Sequence, residues 1–185
     1  MPPAEGQDSD KPRDLVPPAG GHAIIVGFGL SGRATANALI SRKIPIYVIE
    51  RNAETVRRCA VAGLRIVEGD ATDEQVLRRA GIETAVFFAA TMPNEHAVLE
   101  MVGQARRLNP NVKILARCEY VSTGMKLTRR GADEVVIAEQ VIAAEFGRLV
   151  GVVADAPPAP AAPVPPPPAP AAQPDRPAEM QPTGP

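Results

Sequence analysis

Gly27, Phe28, Gly29, Leu30, Ser31 and Gly32 spell G-x-G-x-x-G directly after the apolar run Ala23, Ile24, Ile25, Val26. Glycines at this spacing let a turn of backbone approach a pyrophosphate held at the amino end of the following helix. Glu50 closes a second apolar run 23 positions after Gly27, where its carboxylate can accept hydrogen bonds from both hydroxyls of an adenosine ribose. The hexapeptide by itself would equally serve close packing of a helix on a strand. What turns it into a nucleotide signal is its setting in one βαβ unit of roughly 30 residues.

Further candidates fall where other apolar runs end. Arg51 stands next to Glu50: the acid disfavours a 2′-phosphate and so favours NAD over NADP, whereas the guanidinium could pair with one. Gly69, Asp70, Ala71 and Thr72 follow the third run, with Asp70 and Ala71 at the edge where an adenine amino group would lie. Thr72 with Gln75 reads as a capping box for the next helix. After the fourth run, Thr91 reads as an N-cap and Pro93 as a first-turn residue, or else Thr91, Asn94 and Glu95 meet a far ribose or the phosphates. Arg117 ends the fifth run and needs a counter-charge, which a terminal phosphate or Glu119 would supply. His96 has no adjacent carboxylate or nucleophile, so a packing or solvent-facing role is expected for it.

These residues need elements to position them. The pattern predicts a strand over 23–27, a helix over 30–42, a turn at Pro45 and a strand over 46–49. Apolar runs at 65–68, 84–90, 112–116 and 134–137 then alternate with helical stretches at 52–62, 72–80, 93–108 and 120–130, and a last helix covers about 138–152. Gly63, Gly81 and Gly131 follow three of these helices, where a left-handed cap favours glycine. Six strands alternating with helices predict an α/β, Rossmann-like, doubly wound six-stranded parallel sheet, with ligands in the crevice beyond the strands' carboxyl ends.

Composition divides the chain. Of its 21 prolines, 18 lie in residues 1–21 and 153–185, which are expected to be disordered Pro-rich tails around one domain at 22–152. The four consecutive prolines from Pro165 favour a semi-rigid polyproline spacer. The central region carries 17 Lys and Arg against 14 Asp and Glu, a balance that fits a phosphate-bearing ligand and not a nucleic acid, as does an aromatic content of 3%. No run reaches the roughly 18 apolar residues that would span a bilayer, and the acidic, proline-bearing start lacks a basic leader, so a cytoplasmic location is expected. Cys59 and Cys118 have neither metal-ligand nor C-x-x-C spacing and read as reduced, buried thiols.

From His22 to about Val150 the chain resembles the RCK N-terminal domain, also called the KTN or TrkA-N domain, of potassium channel and transporter regulators and cation:proton antiporters. The resemblance rests on the fingerprint at 27–32, Glu50, the Gly69 to Thr72 turn, the Thr91 to Glu95 turn, the Ala116 and Arg117 strand end, and Gly131, Ala132, Asp133, Glu134, Val135, Val136 before the last helix. It implies a sensor that binds NAD(H) or an adenine nucleotide such as ATP, ADP or AMP and gates a membrane partner: a potassium channel, a transporter or a cation:proton antiporter subunit. By that analogy Gly27, Gly29 and Gly32 approach the phosphates, Glu50 holds the ribose, Asp70 reads the adenine, and Arg117 meets a distal phosphate or assists across a dimer. A homodimer through the C-terminal helix is implied, with the membrane reached only through a partner. The chain departs from the pattern where Pro157 to Pro170 stands in place of a C-terminal RCK subdomain.

The competing readings are a small NAD(P)-dependent oxidoreductase and a nucleotide-binding scaffold unrelated to transport. The first lacks a Tyr-x-x-x-Lys pair, since Tyr120 and Lys126 are six apart, and the length leaves no room for a catalytic domain.

Overall fold

Every residue of the first strand, β1 (Ala23–Val26), is buried. An unbroken apolar strand of this kind belongs in the middle of a parallel sheet covered on both faces. The computed structural model describes residues 21–154. Apart from Gly21 and residues 153 and 154, the two proline-rich tails lie outside the described residues. The remaining strands are β2 (Ile46–Glu50), β3 (Arg65–Glu68), β4 (Phe87–Ala90), β5 (Lys113–Cys118) and β6 (Glu134–Ile137). They form one six-stranded sheet in the order β3-β2-β1-β4-β5-β6, parallel throughout. The expected Rossmann-like, doubly wound α/β fold is what is found.

Six helices connect and follow the strands: α1 (Leu30–Ile40), α2 (Ala53–Val61), α3 (Glu74–Arg79), α4 (Glu95–Leu108), α5 (Val121–Arg130) and α6 (Ala138–Ala154). Period-2 geometry divides the strand side chains between two layers. Ile24, Tyr47, Ile49, Phe88 and Ile114 join Leu77, Met101, Val102 and Leu127 in the larger core, whereas Ala23, Ile25, Ile46 and Ala89 meet Ala36 and Leu39 of α1 in a smaller one. The edge strands β3 and β6 are only partly buried, as their mixed polar sequences require.

Gly131 ends α5 at φ +106, in the left-handed region expected after that helix, and Gly63 and Gly81 adopt the same hand. The next residues explain the Gly131 to Val136 signature. Asp133 accepts the Ile114 N–H at 2.7 Å and pairs with Arg106 at 2.8 Å, which fastens β6 to β5 and α5 to α4.

Two capping expectations are corrected. Thr72 does not cap α3: Asp73 does, accepting from the Gln75 N–H at 2.8 Å, and the helix accordingly starts at Glu74. Thr91 does not cap α4: Asn94 does, accepting from the Ala97 N–H at 3.1 Å, and Pro93 precedes the helix. In both cases a better acceptor, a carboxylate or a primary amide, stands one to three residues further on.

His22 leads into β1 and is fully buried. Its Nε2–H donates to the Ala80 carbonyl at 2.8 Å, its ring meets Tyr47 edge-on at 4.7 Å, and Nδ1 has no hydrogen-bond partner. Burial holds the imidazole pKa below its ordinary 6.5, against the raising effect of the Ala80 bond, and the nearby Arg65 adds to the lowering. The neutral form is therefore the native one. Its contribution is complete above about pH 6.5 and is lost as the pH falls below that value, where the unfolded chain takes up the proton. The denaturation midpoint in urea should drop between pH 7.5 and 5.5, and His22→Gln should flatten that slope. An equal slope in both proteins would remove His22 as its source.

Candidate functional site

The strand order reverses between β1 and β4, and a cleft of about 450 Å³ opens there at the carboxyl ends of the strands. Its centre is the amino end of α1. Gly29 is the N-cap, extended at φ −72 and ψ −159, and offers no side-chain acceptor to the helix. The first intrahelical bond runs from the Arg33 N–H to the Gly29 carbonyl at 3.0 Å, so the amides of Leu30, Ser31 and Gly32 precede any helical acceptor. Amides and macrodipole together make this a place for an anion, typically worth 0.3–1 kcal/mol and up to about 2 kcal/mol when partly buried.

The three fingerprint glycines differ in what they do. A Cβ at Gly29 would meet nothing within 4 Å, leaving the approach to the helix end open. A Cβ at Gly32 would stand 2.1 Å from the Gly27 carbonyl oxygen, so Gly32 serves the crossing of α1 over β1. Gly27 sits at φ +84 and takes the chain out of the strand. Thr91 fixes this turn from β4, donating its hydroxyl at 2.9 Å to the carbonyls of both Val26 and Gly27.

Glu50 organises the next wall. Its Oε2 accepts the Phe28 N–H at 3.0 Å, and Oε1 accepts the N–H groups of Arg51 and Asn52 at 2.8 and 2.9 Å. Oε1 thus has both lone-pair positions taken while Oε2 keeps one. Beside it, Arg51 pairs with Asp70 at 2.9 Å, and the second Asp70 oxygen accepts the N–H and hydroxyl of Thr72. The Thr72 N–H, then Arg51, hold the Asp70 carboxyl below the usual range.

The cleft collects most of the residues that sequence singles out: Gly27, Phe28, Gly29, Leu30, Ser31, Glu50, Arg51, Asp70, Ala71, Thr91 and Arg117 all line it. Gly32 and Asn94 do not, the first being pressed onto Gly27 and the second capping α4. Glu95 is likewise spent on structure. Its carboxylate accepts the N–H groups of Glu119 and Tyr120 and the Thr123 hydroxyl, so it caps α5, whose own N-cap Tyr120 supplies no side-chain bond. The Thr123 bond, then Glu119, hold its pKa down. Arg117 does have a carboxylate near it, Glu119 at 3.4 Å, in a loose pair.

Met92 also lines the cleft and carries no motif that would flag it. Sequence gives no sign of a second cleft of about 590 Å³ between α1 and α6, which shares Leu30, Ser31, Thr91 and Arg117 with the first. Among the described residues no group of His, Cys, Asp and Glu is placed to hold a metal ion, and no helix is long and apolar enough to cross a membrane. Cys59 and Cys118 are buried free thiols.

Comparison with known proteins adds to this geometry. The family model described as the TrkA-N domain matches residues 23–138. YbaL of Escherichia coli (strain K12), named as a candidate cation/proton antiporter, is 35% identical over 138 residues, 75% of this chain and 24% of that protein. The crystal structure of its TrkA-N domain has a TM-score of 0.67, at 70% coverage of this chain and 96% of that one. Potassium channel protein 1 of Methanocaldococcus jannaschii is 29% identical over 141 residues, 75% of this chain and 42% of that one. The GsuK channel bound to NAD is similar at 25% identity and a TM-score of 0.57, over 63% of this chain and 21% of that one. The chain thus spans less than half the length of these two curated relatives.

The glycine geometry separates fold from ligand approach. Gly32→Ala should destabilise the protein by more than about 2 kcal/mol, because the added carbon meets backbone that cannot yield. Gly29→Ala should cost no more than about 1 kcal/mol, the loss of a tolerated N-cap residue. Urea denaturation of the two variants checks the difference, and equal losses would contradict the distinct roles.

Proposed function

The chain belongs to the TrkA-N domain family, and from that premise we propose that it is a cytoplasmic nucleotide-binding regulatory module acting on a potassium channel, a transporter or a cation:proton antiporter. The observation that carries this reading is the uncapped amino end of α1, open at Gly29 and flanked by Glu50. The relatives support it: one is named a potassium channel, one a candidate cation/proton antiporter, and a related channel structure is described as bound to NAD.

The residues present fit an adenine nucleotide. The Leu30 to Gly32 amides would receive phosphate, and the remaining lone pair on Glu50 Oε2 would accept a ribose hydroxyl. Asp70 and Ala71 stand at the adenine edge and Arg117 at the distal phosphate. The Glu50 charge repels a 2′-phosphate, and Arg51 is already committed to Asp70, so we favour NAD(H), with ATP, ADP or AMP as the alternatives, over NADP.

We read the module as a binding protein and not an enzyme because its polar side chains face inward to their own loops. Glu50 holds three backbone N–H groups, and Asp70 holds Thr72 and Arg51, which orders the site without leaving these groups poised for proton transfer. Regulation would follow from population shift. A ligand favouring one arrangement of the module by about 1–3 kcal/mol changes a partner's equilibrium by roughly 5- to 150-fold. The exposed Val141, Ile142, Phe146, Leu149 and Val150 on α6 support pairing of two copies through that helix.

Calorimetric titration of the full chain with NAD, NADH, ADP, ATP and AMP tests the proposal. Micromolar binding of at least one is expected, weakened by about 1–3 kcal/mol in Glu50→Ala. No binding by any of them would leave a structural module, and catalysed turnover of NADH would favour the oxidoreductase.

A further inference from the structure

At the end of the sheet opposite the glycine loop, two connections lie side by side because β2 and β3 pair in parallel, starting with Tyr47 and Arg65. One runs from α1 through Arg42, Lys43, Ile44 and Pro45 into β2, and the other from α2 through Gly63 and Leu64 into β3. Between them is a shallow notch of about 330 Å³, lined mainly by Ile40, Lys43, Ile44, Pro45, Leu64 and Arg65, and no residue of it is shared with the glycine-loop cleft. Both helices end here on an exposed apolar residue: Ile40 closes α1 at 49% exposure and Val61 closes α2 at 91%.

The charge of this end has one sign. Residues 34–49 and 55–67 contain Arg42, Lys43, Arg57, Arg58 and Arg65 and no Asp or Glu. Among the described residues only Arg58 of these pairs with a carboxylate, Glu54 at 4.0 Å. Arg42 donates to the Ala38 carbonyl at 2.7 Å and Arg65 lies over the Tyr47 ring at 5.5 Å, so both meet neutral groups. Lys43 is the one non-glycine among the described residues in the left-handed region, at φ +59. Its N–H donates to the Ile40 carbonyl at 2.8 Å and that of Ile44 to the Leu39 carbonyl at 3.1 Å, a helix ending that ordinarily selects glycine. Lysine there carries backbone strain that glycine would not, and what it adds is a charge at the lip of an apolar notch.

We infer that this end of the molecule rests on the surface of an anionic bilayer, with Ile40 and Val61 in the interfacial layer and Arg42, Lys43 and Arg65 at the level of the lipid phosphates. Cations with apolar neighbours and without competing carboxylates are what such a surface attracts. A fluid interface also accepts a projecting side chain such as Val61 without a matching pocket, which a protein partner would have to supply. The contact is direct, whereas the family resemblance implies a membrane reached only through a partner. It goes beyond the nucleotide reading and does not depend on it, because the glycine-loop cleft opens at the carboxyl ends of the strands and stays accessible while the amino ends of β2 and β3 face the bilayer.

The test is co-sedimentation of the full chain with phosphatidylcholine vesicles, with and without phosphatidylglycerol, at low and high salt. Binding is expected only with phosphatidylglycerol and should fall as salt rises. A cation at an anionic surface contributes a factor of roughly five to partitioning, so Lys43→Gly should weaken binding about fivefold, and Lys43→Gly combined with Arg42→Gln about 25-fold. Lys43→Gly also relieves the left-handed strain, so its urea midpoint should equal or exceed that of the wild type, which separates lost binding from lost folding. Val61→Ser should weaken binding about threefold or more at either salt concentration. Equal binding to both vesicle types, no binding to either, or binding that ignores all these variants overturns the inference. If polyglutamate binds where vesicles do not, and Lys43→Gly weakens it, the face belongs to an acidic protein and the inference is likewise overturned. Calorimetry of Lys43→Gly with NAD and ADP should match the wild type, and failure of the wild type to bind any nucleotide would sink the nucleotide reading while the vesicle result stands.

Discussion

The missing Cβ of Gly32 is the constraint from which the rest of the site follows. Only a residue without a side chain permits α1 to cross β1 with the Gly27 carbonyl 2.1 Å from where that carbon would be. At that separation the helix starts within one turn of the strand end, and its free amides come to the mouth of the crevice. The same closeness brings the Phe28 N–H within 3.0 Å of Glu50 on the neighbouring strand, and the Val26 and Gly27 carbonyls within 2.9 Å of the Thr91 hydroxyl on the other. One packing contact thereby ties three strand ends into a single edge.

That edge is held by carboxylates facing backbone. Glu50 fixes the turn after β2, Asp70 the turn after β3, and Glu95 joins the start of α4 to the start of α5. Charge-assisted bonds to N–H groups are stronger than neutral ones, and loops anchored in this way need little reordering when an anion arrives. The cost is that these acids have fewer lone pairs left for a ligand. Glu50 retains one on Oε2, which limits it to a single ribose hydroxyl where an unbound carboxylate would take two.

Much of this was legible in sequence because the signals are local. Apolar strand runs, a glycine after each of three helices and the fingerprint spacing each follow from backbone geometry within a few residues. The sheet order then follows from the handedness and adjacency of βαβ units. The caps near Thr72 and Thr91 are not decided by sequence because several acceptors compete within a few positions, and only the finished turn decides whether Thr91 reaches forward to its helix or back to Val26. The three glycines could not be told apart either. Distance to another element, 2.1 Å at Gly32 against open space at Gly29, is not written in the spacing. Glu95 and the second cleft are fully non-local, since each depends on elements more than 20 residues away coming together.

Affinity and signalling make different demands on such a site. A glycine loop anchored on both sides presents the same amides whatever the rest of the molecule does, so phosphate binding there contributes to affinity in every state alike. An interaction equal in two states shifts nothing between them, however tight it is. A regulatory module of this fold must therefore place some ligand contact on an element free to take more than one position. Within the described residues α6 fits that need: five of its large apolar residues, Val141, Ile142, Phe146, Leu149 and Val150, are exposed, whereas the strands beneath the loop are buried. In a module that regulates, the rigid edge would supply the hold on a ligand, and a differential contact would have to come from an element such as α6, outside that edge.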